Sequence, residues 1–241
     1  MHGTTTAAAD QDSIAISARN VTLVLGTREA PVEILKGVNL DIARGASVAI
    51  LGASGSGKSS LMATLTGMEK ASGGTVQVAG VDFTALDEDA LATARRGRIG
   101  IVLQSFHLLP TMTALENVAV PLELDGQADA FARAAAELEA VGLGHRIGHY
   151  PAQLSGGEQQ RVAIARAVAG RPGIIFADEP TGNLDAATGA SIISLLFERQ
   201  KASEATLVII THDPSLAARC DRVVEMRDGQ IISDSVAAAT A

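Results

Sequence analysis

One cysteine, Cys220, stands in the whole chain of 241 residues; tryptophan is absent and Tyr150 is the single tyrosine. A lone cysteine excludes an internal disulfide and any cysteine-rich zinc site, which leaves Cys220 a packing role. No apolar run approaches the roughly 18 residues that a membrane-spanning helix needs. The longest, residues 173–177 and 206–210, are of strand length. Residues 1–12 carry no charged segment followed by an apolar stretch, so no secretory signal is expected, and the chain is expected to stay in the cytosol unless a partner holds it at a membrane. Residues 1–13 read as a disordered tail, with a short second tail at 235–241. Basic excess is lacking too: the net charge is −8, which argues against broad nucleic-acid binding. What is present is apolar substance, 47% of all residues, enough for a sizeable core in one large domain or two small ones.

Strand-like and helix-like stretches alternate along the chain. Residues 14–25 and 38–42 read as strands flanking a loop with Gly26 and Pro31, and 75–78 as another strand before a Gly80 turn. Residues 87–96 read as a helix with acids in its first turn and arginine in its last. Residues 99–103 form a short apolar strand ending at Gln104, and 113–142 follow a helical pattern stopped by Gly142. From Gly156 onward helix and strand alternate, and two short strands, 222–226 and 230–233, close the chain around an Asp228-Gly229 turn. Such alternation predicts a parallel sheet covered by helices. The helical run between Gln104 and Pro151 reads as an inserted lobe, roughly 105–165.

Gly52-Ala53-Ser54-Gly55-Ser56-Gly57-Lys58-Ser59 fits the phosphate-binding pattern G-x-x-x-x-G-K-[ST]. Glycines let the backbone wrap a triphosphate with its N–H groups inward; Lys58 can reach the β- and γ-phosphates, and the Ser59 hydroxyl can bind Mg²⁺. An apolar strand, 47–51, precedes the loop, and a helix from Ser60, with Leu61 and Leu65 on one face, follows. The helix start adds positive potential where phosphates would sit. A dinucleotide site fits less well, because the spacing is G-x-x-G-x-G.

Residues 174–177 form an apolar strand that ends in two carboxylates, Asp178 and Glu179. Beside a phosphate loop, a strand-end acid such as Asp178 lies next to the metal, and the next acid can polarise an attacking water. The plainer alternative is a solvated strand end. Ser155-Gly156-Gly157-Glu158 reads as a capping box starting a helix, and its two glycines suit close approach of a phosphate to the backbone.

Leu154 to Glu158, followed by Gln159-Gln160-Arg161, resembles the signature sequence of the ABC-type ATPases. The other motifs of that family stand in order. Gln104 is similar to the Q-loop, residues 177–180 to Walker B with the catalytic Glu179, residues 183–185 to the D-loop, and His212 to the switch histidine. The resemblance spans residues 14–234. It implies a RecA-like P-loop NTPase core of α/β class, with an antiparallel β subdomain and an inserted α-helical subdomain. It also implies two copies packed head to tail with two ATP molecules between them. Each ATP would touch Gly52–Ser60 of one copy and Ser155, Gly156, Gly157 and Glu158 of the other. Glu179 would be the general base, His212 would contact the γ-phosphate, Lys58 would bind phosphate, and Asp185 would couple the two sites. Mg²⁺ would be held by Ser59, Gln104 and Asp178. Singly, His212 could be an ordinary strand-end histidine and Asp185 a helix cap.

Residues 32–38, 52–60, 104–111 and 178–185 are similar to the branch of this family that includes the MacB, LolD and FtsE types, and residues 151–167 and 217–222 to YbbA-type bacterial subunits. That implies an ATPase subunit driving a separate inner-membrane permease of the MacB/FtsX-like type, on the cytoplasmic face. The cargo would be a lipoprotein, lipid, peptide or small molecule. The permease is expected to dock just after Gln104, at Phe106, Leu108, Leu109 and the following helix; these side chains could equally be core. The alternatives are a soluble ABC-type ATPase without a permease and a nucleotide-dependent regulator. One departure stands out. Members of the family usually stack adenine on an aromatic side chain near the first strands, yet no Phe, Tyr or Trp occurs before Phe83. Leu25 or a neighbour is expected there, at a loss of about 1 kcal/mol of base affinity, so a modest GTPase activity is expected.

Overall fold

The computed structural model describes residues 13–27 and 29–236. Two sheets meet in it. The first is antiparallel, in the order β2-β1-β4-β5, built from β1 (Ile14–Gly26), β2 (Pro31–Ala43), β4 (Gly73–Val78) and β5 (Val81–Asp82). The second has the order β10-β9-β3-β8-β7-β6, from β3 (Ser47–Leu51), β6 (Ile99–Val102), β7 (Ile174–Asp178), β8 (Thr206–Thr211), β9 (Arg222–Arg227) and β10 (Gln230–Val236). Its strands run parallel except β10, which returns antiparallel along β9.

Burial explains why β3, β7 and β8 are apolar throughout. Both faces of the central sheet are covered, so successive residues feed opposite cores. Phe176, Val208 and Ile50 pack toward the antiparallel sheet and α1 (Lys58–Leu65). Ile175, Ile209 and Ala49 pack toward the helical side, with Ile164 of α5 (Gly156–Val168) and Leu196 of α6 (Ala186–Ser203). The remaining helices are α2 (Glu88–Arg95), α3 (Ala114–Leu124), α4 (Ala130–Ala140) and α7 (Pro214–Ala217).

Several boundaries differ from the sequence expectation. Strand β2 starts at Pro31, well before Val38, with proline tolerated as the first residue of an edge strand. The helical run 113–142 is two helices, because α3 ends at Leu124 and Gly126 takes a left-handed φ of 75°. Helix α5 continues to Val168, and β10 runs to Val236, two residues into the expected C-terminal tail. The expected N-terminal tail falls outside the described residues, Ser13 excepted. Among the described residues no helix is long and apolar enough to cross a membrane.

Candidate nucleotide site

A cleft of about 1120 Å³ opens where β3, β6, β7 and β8 end. In a parallel sheet this is the edge where loops to successive helices diverge and leave a crevice. Gly52 through Ser60, Gln104, Asp178, Glu179 and His212 all line it. These sequence-predicted residues, from four separate segments, therefore face one volume.

The glycine loop joins β3 to α1. Gly57 stands at the N-cap of α1 with φ 97°, and no side chain caps the first turn. Gly52 is required sterically: a Cβ there would lie 2.5 Å from the Met226 carbonyl oxygen. Lys58, 6% exposed, donates from Nζ to the Gly52 and Ala53 carbonyl oxygens at 2.9 and 2.8 Å, so the ammonium is held over the loop. The Ser56 hydroxyl oxygen is buried without a hydrogen-bond partner.

Across the cleft, the Ser59 hydroxyl donates to Asp178 Oδ1 at 3.3 Å. Burial pushes the Asp178 carboxyl above its ordinary pKa, helped by neighbouring Glu179 and opposed by the Ser59 bond and Lys58. Glu179 follows in a left-handed conformation, φ 42°, with its N–H on the Ile210 carbonyl at 2.9 Å. A non-glycine residue held there costs of order 1 kcal/mol or more, and its carboxylate is re-aimed off the strand direction. His212, just beyond β8, places Nδ1 at 2.7 Å from Glu179 Oε1.

Gln104 follows β6, and its carbonyl accepts the Asn183 side-chain N–H at 2.9 Å. Phe106 and His107 then take left-handed φ values of 60° and 47°. Both carbonyls are held by Arg166 from the last turn of α5, at 2.8 Å for Phe106 and 2.6 Å for His107. Sequence reasoning missed Arg166, since its partners lie some sixty positions away and carbonyls leave no side-chain signal. Leu108 packs partly buried against the helical-side core, whereas Leu109 is exposed.

The signature residues do not line the cleft. Ser155 caps α5: its side chain accepts the Glu158 N–H, and the Glu158 carboxylate accepts the Ser155 N–H at 2.8 Å, which holds that carboxyl below its usual range. A Cβ on Gly157 would lie 2.6 Å from Thr188 Cγ2 and one on Gly156 would lie 3.3 Å from Leu184 Cδ2. Asp185 caps α6, accepting the Ala187 and Thr188 N–H groups at 3.1 and 3.0 Å. The signature and Asp185 are thus neighbours on a surface separate from the cleft lining.

Ser59, Gln104 and Asp178 offer only oxygen-bearing side chains around the cleft, a donor set suited to a hard divalent cation. Among the described residues no cluster of three or more His, Cys, Asp or Glu forms a dedicated metal cage. The set therefore fits an ion that completes its shell with phosphate and water rather than with protein alone.

A family model described as "ABC transporter" matches residues 35–182. The chain is 51% identical over 209 residues to a protein of Escherichia coli (strain K12) named "Uncharacterized ABC transporter ATP-binding protein YbbA", covering 86% of this chain and 92% of that one. It is 44% identical over 225 residues to the "Lipoprotein-releasing system ATP-binding protein LolD" of Xanthomonas campestris pv. campestris (strain 8004), covering 92% of this chain and 94% of that one. Among solved structures, the dimeric post-hydrolysis state of the ATP-binding cassette MJ0796 with ADP and Pi superposes with a TM-score of 0.86 at 38% identity, over 93% of this chain and 99% of that one.

Proposed function

The chain belongs to the ABC transporter family and is an ATP-binding, ATP-hydrolysing subunit, and on that premise we propose how its residues divide the work. One observation carries the proposal: Gly52–Ser60, Gln104, Asp178, Glu179 and His212 converge on one cleft from separate segments. ATP is the substrate, with its phosphates against the backbone N–H groups of residues 52–60 and the α1 N-terminus. Lys58 exchanges its two carbonyl partners for phosphate oxygens. Glu179 accepts a proton from a water that attacks the γ-phosphorus in line, while the bond to the β-phosphate bridging oxygen breaks, giving ADP and phosphate. His212 holds Glu179 and contacts the γ-phosphate. Ser59, Gln104 and Asp178 would hold Mg²⁺, which would supply countercharge to the phosphates.

The cleft holds half of the proposed site. Ser155, Gly156, Gly157, Glu158 and Asp185 lie on a separate surface, and in our reading they complete the site of a second copy packed head to tail. Dimeric relatives of this fold support that arrangement. The dimer drives a membrane permease, as relatives named for lipoprotein release and macrolide export suggest. We place that permease in the MacB/FtsX-like class and the subunit on the cytoplasmic face of the inner membrane, docked through the segment after Gln104. The test is ATP turnover and gel filtration of wild type beside Glu179→Gln. Wild-type turnover, with loss of turnover and an ATP-dependent dimer in the variant, supports the assignment. Equal turnover in both proteins removes Glu179 as the base.

A further inference from the structure

The phosphate loop is gripped from outside by a turn more than 170 positions away in the chain. Strands β9 and β10 are joined at Asp228-Gly229. The Gly229 N–H donates to the Ser56 carbonyl at 3.0 Å, and the Gly229 carbonyl accepts the Lys36 N–H of β2 at 3.0 Å. One residue thus ties the loop to both sheets. There is no slack around it. A Cβ on Gly229 would lie 2.2 Å from the Ile34 carbonyl oxygen. A Cβ on Gly57 would meet the same oxygen at 3.3 Å and Gly229 Cα at 3.4 Å.

Peptide planarity turns this grip into an aiming device. In a trans peptide the carbonyl of one residue and the N–H of the next point in opposite directions. With the Ser56 carbonyl turned out to Gly229, the Gly57 N–H is turned away from the hairpin. Gly57 lines the cleft, and it opens the helix whose first turn has no side-chain cap. Resting on the nucleotide-binding reading above, we propose that Gly229 is a positioning residue for ATP: its bond to Ser56 aims the Gly57 N–H at the bound phosphates. The sequence shows Asp228-Gly229 as an ordinary hairpin turn, and its second role arises from what the turn touches.

A control is built into the fold. Gly80 also sits in a strand-joining turn, at φ 79° against 77° for Gly229, and a Cβ there would meet nothing within 4 Å. Alanine at either position carries the same backbone strain, and at Gly229 it also displaces the loop. Binding of a fluorescent ATP analogue to the full chain, with thermal unfolding in parallel, is measured for wild type, Gly229→Ala and Gly80→Ala. Gly229→Ala is expected to weaken nucleotide binding at least tenfold, while Gly80→Ala stays within twofold of wild type although its backbone strain lowers Tm. Lys36→Pro adds a gentler cut, removing the N–H that anchors Gly229 from β2 on an edge strand, and is expected to weaken binding about threefold or more in a folded protein. Should Gly229→Ala fail to fold, Lys36→Pro carries the test. Binding within twofold of wild type in Gly229→Ala, or in folded Lys36→Pro, overturns the proposal. Equal weakening in Gly80→Ala and Gly229→Ala, in step with lost stability, overturns it as well. Failure of wild type itself to bind the analogue removes the nucleotide reading and this inference with it.

Discussion

His212 Nδ1 lies 2.7 Å from Glu179 Oε1 although 33 positions separate the two residues. They are brought together because β7 and β8 run side by side in parallel, with Asp178 paired to Ile210, so the residues just past each strand meet at one rim. Glu179 is mostly buried and His212 largely exposed, which makes the imidazole the outer member of the pair. Removing His212 therefore leaves Glu179, the proposed base, in place but without its brace. His212→Ala is expected to lower ATP turnover about 100-fold, the low end of what general acid–base catalysis contributes, with a much smaller loss of nucleotide affinity. Single-turnover kinetics beside equilibrium binding separates the two; a loss confined to affinity would contradict the assignment.

Asp178 faces Ser59 across the cleft, and its carboxyl is raised by burial. Asp178→Asn keeps the shape and removes the charge. The Mg²⁺ concentration for half-maximal turnover is expected to rise about tenfold or more, as for loss of an outer-shell metal partner. Titrating Mg²⁺ at fixed ATP checks this, and an unchanged midpoint would count against Asp178 as a metal partner.

Asp221 ties the start of β3 to the start of β9. Its Oδ2 accepts the Ser47 N–H at 2.8 Å and the Ser47 hydroxyl at 2.7 Å. These bonds, the backbone one foremost, hold its pKa below the ordinary aspartate value. A depressed folded-state pKa stabilises at pH above the unfolded value, and that stability is lost as pH falls through the folded pKa. Asp221→Asn is expected to cost about 1 kcal/mol at pH 7, discounted for solvent exposure. The cost should shrink toward zero below the ordinary carboxylate range. Urea unfolding of both proteins at neutral and strongly acidic pH reads the difference; a gap that stays constant would refute the account.

No aromatic side chain lines the cleft among the described residues. Ile34, Met226 and Ile232 supply its apolar wall, whereas Leu25, expected in place of the aromatic, ends β1 40% exposed and does not line the cleft. Aliphatic packing is indifferent to which purine it meets, so GTP is expected to be hydrolysed at a modest but measurable rate. A GTP rate equal to buffer would rule out the relaxed base preference.

Much of the cleft lining was legible in the sequence because its pieces are contiguous. A glycine loop after an apolar strand and paired acids at a strand end announce their own context. The outer frame was less legible. Strand β2 begins at Pro31, a residue that reads in the sequence as part of a loop, and that hid how far the strand reaches. Residues 113–142 keep an apolar period straight through the Gly126 break, so two helices looked like one. The two glycines of the signature drew attention to phosphate, although they also lie close to the Thr188 and Leu184 side chains, with Gly157 the tighter of the two. The contacts of Arg166 and Gly229 were invisible, because each acts on backbone atoms remote in sequence.

Helix α5 has 13 residues and so forms a rod about 20 Å long. One end carries the signature serine and glycines, and the other carries Arg166 with its hold on the two left-handed residues after Gln104. A tilt of about 5° shifts one end of such a rod by roughly 2 Å, more than a hydrogen bond tolerates. Whatever pushes on the loop after Gln104 therefore moves the far tip of the same lever, and the two ends cannot be re-aimed separately.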